Sequence, residues 1–198
     1  MNGVTISPIV EGHGEVAAVP LLIRRIADET GLLLNLTVTK PLRVHADQLR
    51  RPGELERHID NRTRRYGRSV KVIILLDCDW EGCCPKLAGP DLLERARKHA
   101  PDVTISVVLA HHEFENWFIA SADSLRGDKG LQQAPEVDDP ESIRGAKEWL
   151  RHNMPLLHPY AETDDQPAFS QALDLSRARR APSFDKFYRE VVSLLQSS

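Results

Sequence analysis

Cysteine is scarce in this sequence: Cys78, Cys83 and Cys84 are the only three, and all fall in one short stretch. An odd number confined to one loop argues against a disulfide framework. Zinc held by these thiols with His111 and His112 is conceivable, but adjacent Cys83 and Cys84 lack the usual ligand spacing. Long apolar runs are missing as well. None approaches the ~20 residues that a membrane-spanning helix needs. The N-terminus has no basic stretch leading into an apolar one, so no secretory signal is expected. These absences predict a cytoplasmic protein without a membrane partner.

Charge of one sign is also lacking. Lys and Arg number 26 against 29 Asp and Glu, a formal net charge of -3, which gives no global basic footprint for nucleic acid. No Gly-x-Ser-x-Gly elbow is present for an α/β-hydrolase, and no Gly-x-x-x-x-Gly-Lys-Ser/Thr loop for ATP. Glu11-Gly12-His13-Gly14-Glu15 falls short of the dinucleotide glycine pattern. There is no internal repeat and no low-complexity segment.

What is there fits a soluble globular protein: 198 residues, 41% hydrophobic and 28% charged. The first half alternates apolar strand patterns with helical ones. Strands are expected over Val4–Val10, Leu34–Thr39, Val70–Leu76 and Val103–Leu109, and helices over Glu15–Thr30, Arg51–Tyr66 and Pro90–Ala100. Such alternation implies βαβ units and a parallel sheet. A helix over Glu113–Ala122 is followed by a polar loop to Asp139. Asp139-Pro140-Glu141 reads as the cap and first turn of a helix to about Asn153. An irregular 156–165 and two short helices, near Gln171–Arg180 and Ser183–Leu195, complete the chain. The division expected is an α/β domain over 1–122 and a helical extension over 123–198, packed on the sheet.

Three acidic clusters follow apolar runs. Glu11 and Glu15 follow the first strand, Asp77, Asp79 and Glu81 the third, and Glu113 and Glu115 the fourth. A parallel sheet gathers the carboxyl ends of its strands on one edge, where ligands bind. Carboxylates assembled there repel one another unless a cation intervenes, and hard oxygen donors without thiolates select Mg²⁺ or Mn²⁺. Asp77 and Asp79, two apart at a strand end, point the same way. Glu113 and Glu115 are candidates either for metal ligands or for acceptors behind them, His111 and His112 for an acid/base group, and Phe114, Trp117 and Phe118 for core. Between Arg43 and Lys71 lie nine basic residues against four acidic ones, a net of +5. Arg62, Arg64 and Arg65 in this segment are candidates for phosphate contacts with a nucleic acid. The alternative is a solvated helix face paired with Glu54, Glu56 and Asp60.

Val10-Glu11-Gly12 after the first strand and Leu76-Asp77-Cys78-Asp79 after the third resemble the Toprim domain of topoisomerases, bacterial primases and overcoming-lysogenization-defect nucleases. The fuller wording Val-Glu-Gly-His-Gly-Glu, Asp-Cys-Asp and His-Glu-Phe-Glu-Asn-Trp looks most like a small stand-alone Toprim-like family, a bacterial domain of unknown function often encoded beside ATPases in defence loci. The resemblance covers roughly residues 1 to 122, with weaker similarity in 160–187. It implies a Toprim-like α/β fold, Mg²⁺ on Asp77 and Asp79, Glu11 as metal ligand or general acid/base, and Glu15 serving a second metal. With Glu113 or Glu115 completing that second set, the function implied is a Mg²⁺-dependent nuclease with a nucleic acid and an ATPase as partners. The alternatives are a non-catalytic partner subunit and a nucleotide phosphohydrolase. The basic residue that nuclease relatives place near the scissile phosphate is not fixed; Lys86 and Lys147 are candidates.

Overall fold

The computed structural model describes residues 3–33, 35–127 and 130–197. Its element order is β1 (Val4–Val10), α1 (Glu15–Glu29), β2 (Leu36–Val38), β3 (Leu42–Arg43), α2 (Ala46–Arg50), α3 (Glu54–Tyr66), β4 (Lys71–Cys78), α4 (Pro85–His99) and β5 (Ile105–His111). There follow α5 (Asn116–Ala120), two 3₁₀ turns at Ala122–Leu125 and Pro140–Ser142, then α6 (Ala146–Asn153), α7 (Glu162–Ala172), α8 (Leu175–Ala178) and α9 (Pro182–Gln196).

All strand pairings are parallel, in the order β2-β1-β4-β5, with β3 also on the β2 side of β1. The register runs Val10↔Leu75 between β1 and β4 and Cys78↔His111 between β4 and β5. The chain leaves β1 for β2 on one side and β4 for β5 on the other. The topological switch point therefore lies between β1 and β4, and a crevice opens at their carboxyl ends.

Strand alternation divides the core in two. Ile6, Val10, Ile73, Leu75 and Val108 face α1, α7 and α9, together with Phe114, Trp117 and Phe118. Ile9, Val72, Ile74, Leu76, Val107 and Leu109 face α2, α3 and α4. The aromatic residues expected in the core are there. The C-terminal helices share the first cluster with α1 and the strands, so the helical part is packed on the sheet. This is an α/β protein with a central parallel sheet flanked by helices.

The differences from expectation are local. Of the strand expected over 34–39, Leu34 lies outside the described residues and 36–38 is formed; beyond Pro41 the chain rejoins β1 as β3. The helix expected from Pro90 starts at Pro85, which occupies the first turn, where a missing N–H costs nothing. Asp139 does cap, accepting from the Glu141 N–H at 3.1 Å. The helix it was to start is broken at Gly145, whose φ of 74° is left-handed. The 156–165 stretch turns helical from Glu162. The cysteine reading needs correction: Cys78 and Cys83 are disulfide-bonded, because the turn after β4 doubles back at Gly82, leaving Cys84 free.

Candidate functional site at the carboxyl edge of the sheet

Glu11 stands one residue past β1 and Asp77 next to last in β4, so the two acids flank the switch point. Glu11 Oε1 accepts from the Ala46 N–H at 3.0 Å, the first of α2, and Oε2 from the Asp77 N–H at 3.3 Å. Burial raises its pKa, those two bonds lower it, and Asp79 raises it again. The exposed His45 ring lies 3.9 Å from Oε1. Glu15, in the first turn of α1, is buried and accepts from the Glu11 N–H at 3.1 Å. Its pKa is pushed up to about 8 by burial and by the charges of Glu115 and Glu11. Asp77 accepts from the Phe114 N–H at 2.8 Å. Burial, with Glu15 and Glu115 nearby, lifts its pKa well above the usual carboxylate range. Each carboxyl keeps one or more backbone donors, yet each resists ionising beside the others.

The third cluster carries its own cation. Lys147 Nζ lies 3.1 Å from Glu113 Oε2 and 3.1 Å from Glu115 Oε2. Burial works against its charge, but Glu115, Asp77 and Glu113 outweigh it and hold its pKa above the ordinary value. Glu113 Oε1 also accepts from the Ala146 N–H at 2.8 Å, at the start of α6. Glu115, with no exposed surface, receives the Tyr160 hydroxyl at 2.9 Å and the Gln166 amide at 2.8 Å. The other amide atom of Gln166, Oε1, is buried without a hydrogen-bond partner among the described residues. Gly14 is required here for space. A Cβ on it would collide with the Glu162 carbonyl and Gln166 of α7, so its bareness lets α7 close on α1.

The remaining candidates separate. Asp79 is exposed, as is Glu81. His111 and His112 stack with ring centroids 4.3 Å apart, and His112 holds a left-handed φ of 66°. Burial, His111 and Arg144 lower the His112 pKa. Arg62 was expected at a nucleic-acid surface and is instead 3% exposed. Its guanidinium fills the break between β2 and β3, donating to Ser7 Oγ, to Thr39 Oγ1 at 2.7 Å and to the Lys40 carbonyl at 2.8 Å. Arg64 and Arg65 are exposed at the end of α3, which leads into the start of β4. That places them at the amino edge of the sheet, away from the acids. Of the other arginines, Arg57 pairs with Glu54, and Arg68 with Asp102.

Spacing after strands was the signal that found Glu11, Glu15, Asp77, Glu113 and Glu115. Tyr160, Gln166 and His45 were not singled out, because they reach the crevice from elements with no strand-end signature. Among the described residues no three His, Cys, Asp or Glu side chains stand as a ready metal cage. The donor set nevertheless suits a hard divalent ion. It is all oxygen, it is short of positive charge, and a carboxylate accepting two N–H bonds retains free lone pairs.

A family model for a domain of unknown function, DUF4276, matches residues 10–191, from the end of β1 into α9. The chain belongs to the DUF4276 family. The match crosses both the sheet and the C-terminal helices, so the family unit includes Lys147, Tyr160 and Gln166. No curated protein and no solved structure matches the chain. No helix among the described residues is long and apolar enough to cross a membrane.

Proposed function

We propose that this DUF4276 protein is a Mg²⁺- or Mn²⁺-dependent phosphoesterase of Toprim-like type, a nuclease acting on DNA or RNA in a bacterial defence system. The observation that carries the reading is the pair Glu11 and Asp77 flanking the β1/β4 switch point, both held toward their protonated forms by burial and by neighbouring acids. Glu11, Asp77 and the exposed Asp79 would hold the cation, with Glu15 beside them. A divalent ion there supplies charge neutralisation for a phosphodiester and activation of a water. Glu15, protonated near neutral pH, holds a proton beside Glu11. Lys147 fixes Glu113 and Glu115 and limits the negative charge around Asp77. Cations at the same edge suit an incoming phosphate: Arg43, within 3.5 Å of the Glu11 carbonyl, and Arg50, stacked on Trp80.

A second reading is favoured by the partners these acids already have. Backbone N–H groups and Lys147 satisfy much of the crevice, as they would in a non-catalytic subunit docked on an ATPase. Manganese-dependent nicking of plasmid by the purified chain supports the nuclease. Nucleotide hydrolysis without nicking supports a phosphohydrolase. Neither activity, with a stable ATPase complex, supports the subunit. Asp79 accepts no side-chain or backbone bond among the described residues, so Asp79→Asn is the clean variant. It should lower Mn²⁺ affinity and nicking together while leaving the unfolding midpoint unchanged.

A further inference from the structure

The turn between β4 and α4 has a cysteine at each end and the exposed Asp79 between them. Cys78 is the last residue of β4, and alternation turns its side chain away from Asp77 into the α4 side of the core. The chain then runs Asp79-Trp80-Glu81-Gly82 and comes back: Gly82 takes a φ of 72°, and the Cys83 N–H donates to the Trp80 carbonyl at 3.0 Å. The Cα atoms of Cys78 and Cys83 end 5.6 Å apart, within the range a disulfide spans, and the sulfurs are bonded. A cross-link over five positions removes little chain entropy from the unfolded state. Its consequence is local. It closes the Asp79 loop into a ring, while the Arg50 guanidinium, 4.5 Å from the Trp80 ring centroid, covers the outside.

We propose that Cys78 and Cys83 form a reversible redox latch on the Asp79 loop, opened by a dithiol reductant. One thiolate of the reductant attacks Cys83 Sγ, the less buried sulfur. The S–S bond breaks, and Cys78 leaves as a thiolate that takes up a proton. The second thiol of the reductant then displaces Cys83, which is protonated in turn, and the reductant departs as its cyclic disulfide. Two electrons pass to the protein, and a low-molecular-weight disulfide reverses the step. With the latch open, only the turn bond and the Arg50 stack hold the loop; the turn bond opens more often, and Asp79 loses its fixed place near Glu11. The latch itself does not depend on the cation reading, whereas its effect on Mn²⁺ does.

The test starts with a thiol count in denaturant. Oxidised protein, purified in air without added thiol or disulfide, should show one free thiol, that of Cys84, and three after dithiothreitol. In the folded protein, amides 79–84 should exchange hydrogen about tenfold faster after reduction. Cys83→Ser should show the fast exchange under both conditions, and Cys84→Ser should keep the contrast. Three thiols in the oxidised sample, equal exchange in both states, or a contrast lost in Cys84→Ser would each overturn the latch. Mn²⁺ titration of both states separates the two claims. Altered exchange with unchanged Mn²⁺ affinity upholds the latch and removes Asp79 from the cation site.

Discussion

Two buried places in this molecule have opposite charge defects. On the α3 side of the sheet, Arg62 sits among hydroxyls and a carbonyl, with no carboxylate against it among the described residues. Burial lowers its pKa, and the Tyr66 ring lies 4.8 Å from its guanidinium. On the α7 side, Glu113, Glu115 and Asp77 gather around Lys147, with Glu15 beside Asp77 and Glu115. The arginine replaces the hydrogen bonds missing where β2 stops and β3 begins, which is a structural task. The acids lie at the carboxyl edge beside the switch point, where no strand break needs filling. A buried cation whose Nε and Nη2 bridge a strand break is explained by the fold; an excess of buried carboxyls at a crevice is not.

The largest effect should come from Lys147→Met. It leaves Glu113, Glu115 and Asp77 without their cation and should cost about 3 kcal/mol at pH 8. The loss should shrink toward pH 5 as Asp77, whose pKa is raised by burial and the neighbouring acids, takes up its proton; urea unfolding at both pH values checks this, and equal losses would mean Lys147 acts through packing. Next, Arg62→Ala strands Ser7, Thr39 and the Lys40 carbonyl, and should cost about 2 kcal/mol while leaving Mn²⁺ binding untouched. A loss of metal binding in that variant would join the two regions that the comparison separates.

Glu15→Gln should have an effect of similar size that depends on pH. The folded carboxyl titrates near 8 against an ordinary 4.5, so the folded state retains a proton that the unfolded chain has lost. Wild-type stability therefore falls as pH rises from about 4.5 to about 8 and levels off above. The variant lacks this slope and should gain on the order of 2 kcal/mol over wild type at pH 8.5. A parallel pair of stability curves would show that Glu15 is ionised throughout. The smallest effect belongs to Arg64→Ala with Arg65→Ala. Exposed and at the opposite edge, they should change stability by about 0.5 kcal/mol or less and leave nicking intact.

How much of this was legible in the sequence follows from where each signal resides. Residues 72–76 are apolar on both faces, so β4 and the acids after it could be placed from composition alone. Glu11 and Asp77 followed from the same rule, because a parallel sheet collects strand ends. Arg62 misled because arginine density reads as surface, while the need for it arises from a strand break at Thr39–Pro41 that only pairing reveals. Lys147, Tyr160 and Gln166 are separated from Glu115 by 32, 45 and 51 residues, and no local pattern encodes those contacts. The Cys78–Cys83 link depended on a turn at Gly82 that the cysteine count alone does not describe.

The central claim is that the acidic crevice is completed by a divalent cation. Glu15, whose pKa is pushed up to about 8, retains its proton at pH 7 and must release it when a cation binds beside it. Calorimetric titration of Mn²⁺ at pH 7, in buffers of different ionisation enthalpy, measures that release directly. The account predicts binding with about one proton expelled per ion, the number falling above pH 9 as Glu15 ionises unaided. Absence of binding, or binding whose heat is the same in every buffer, would contradict it.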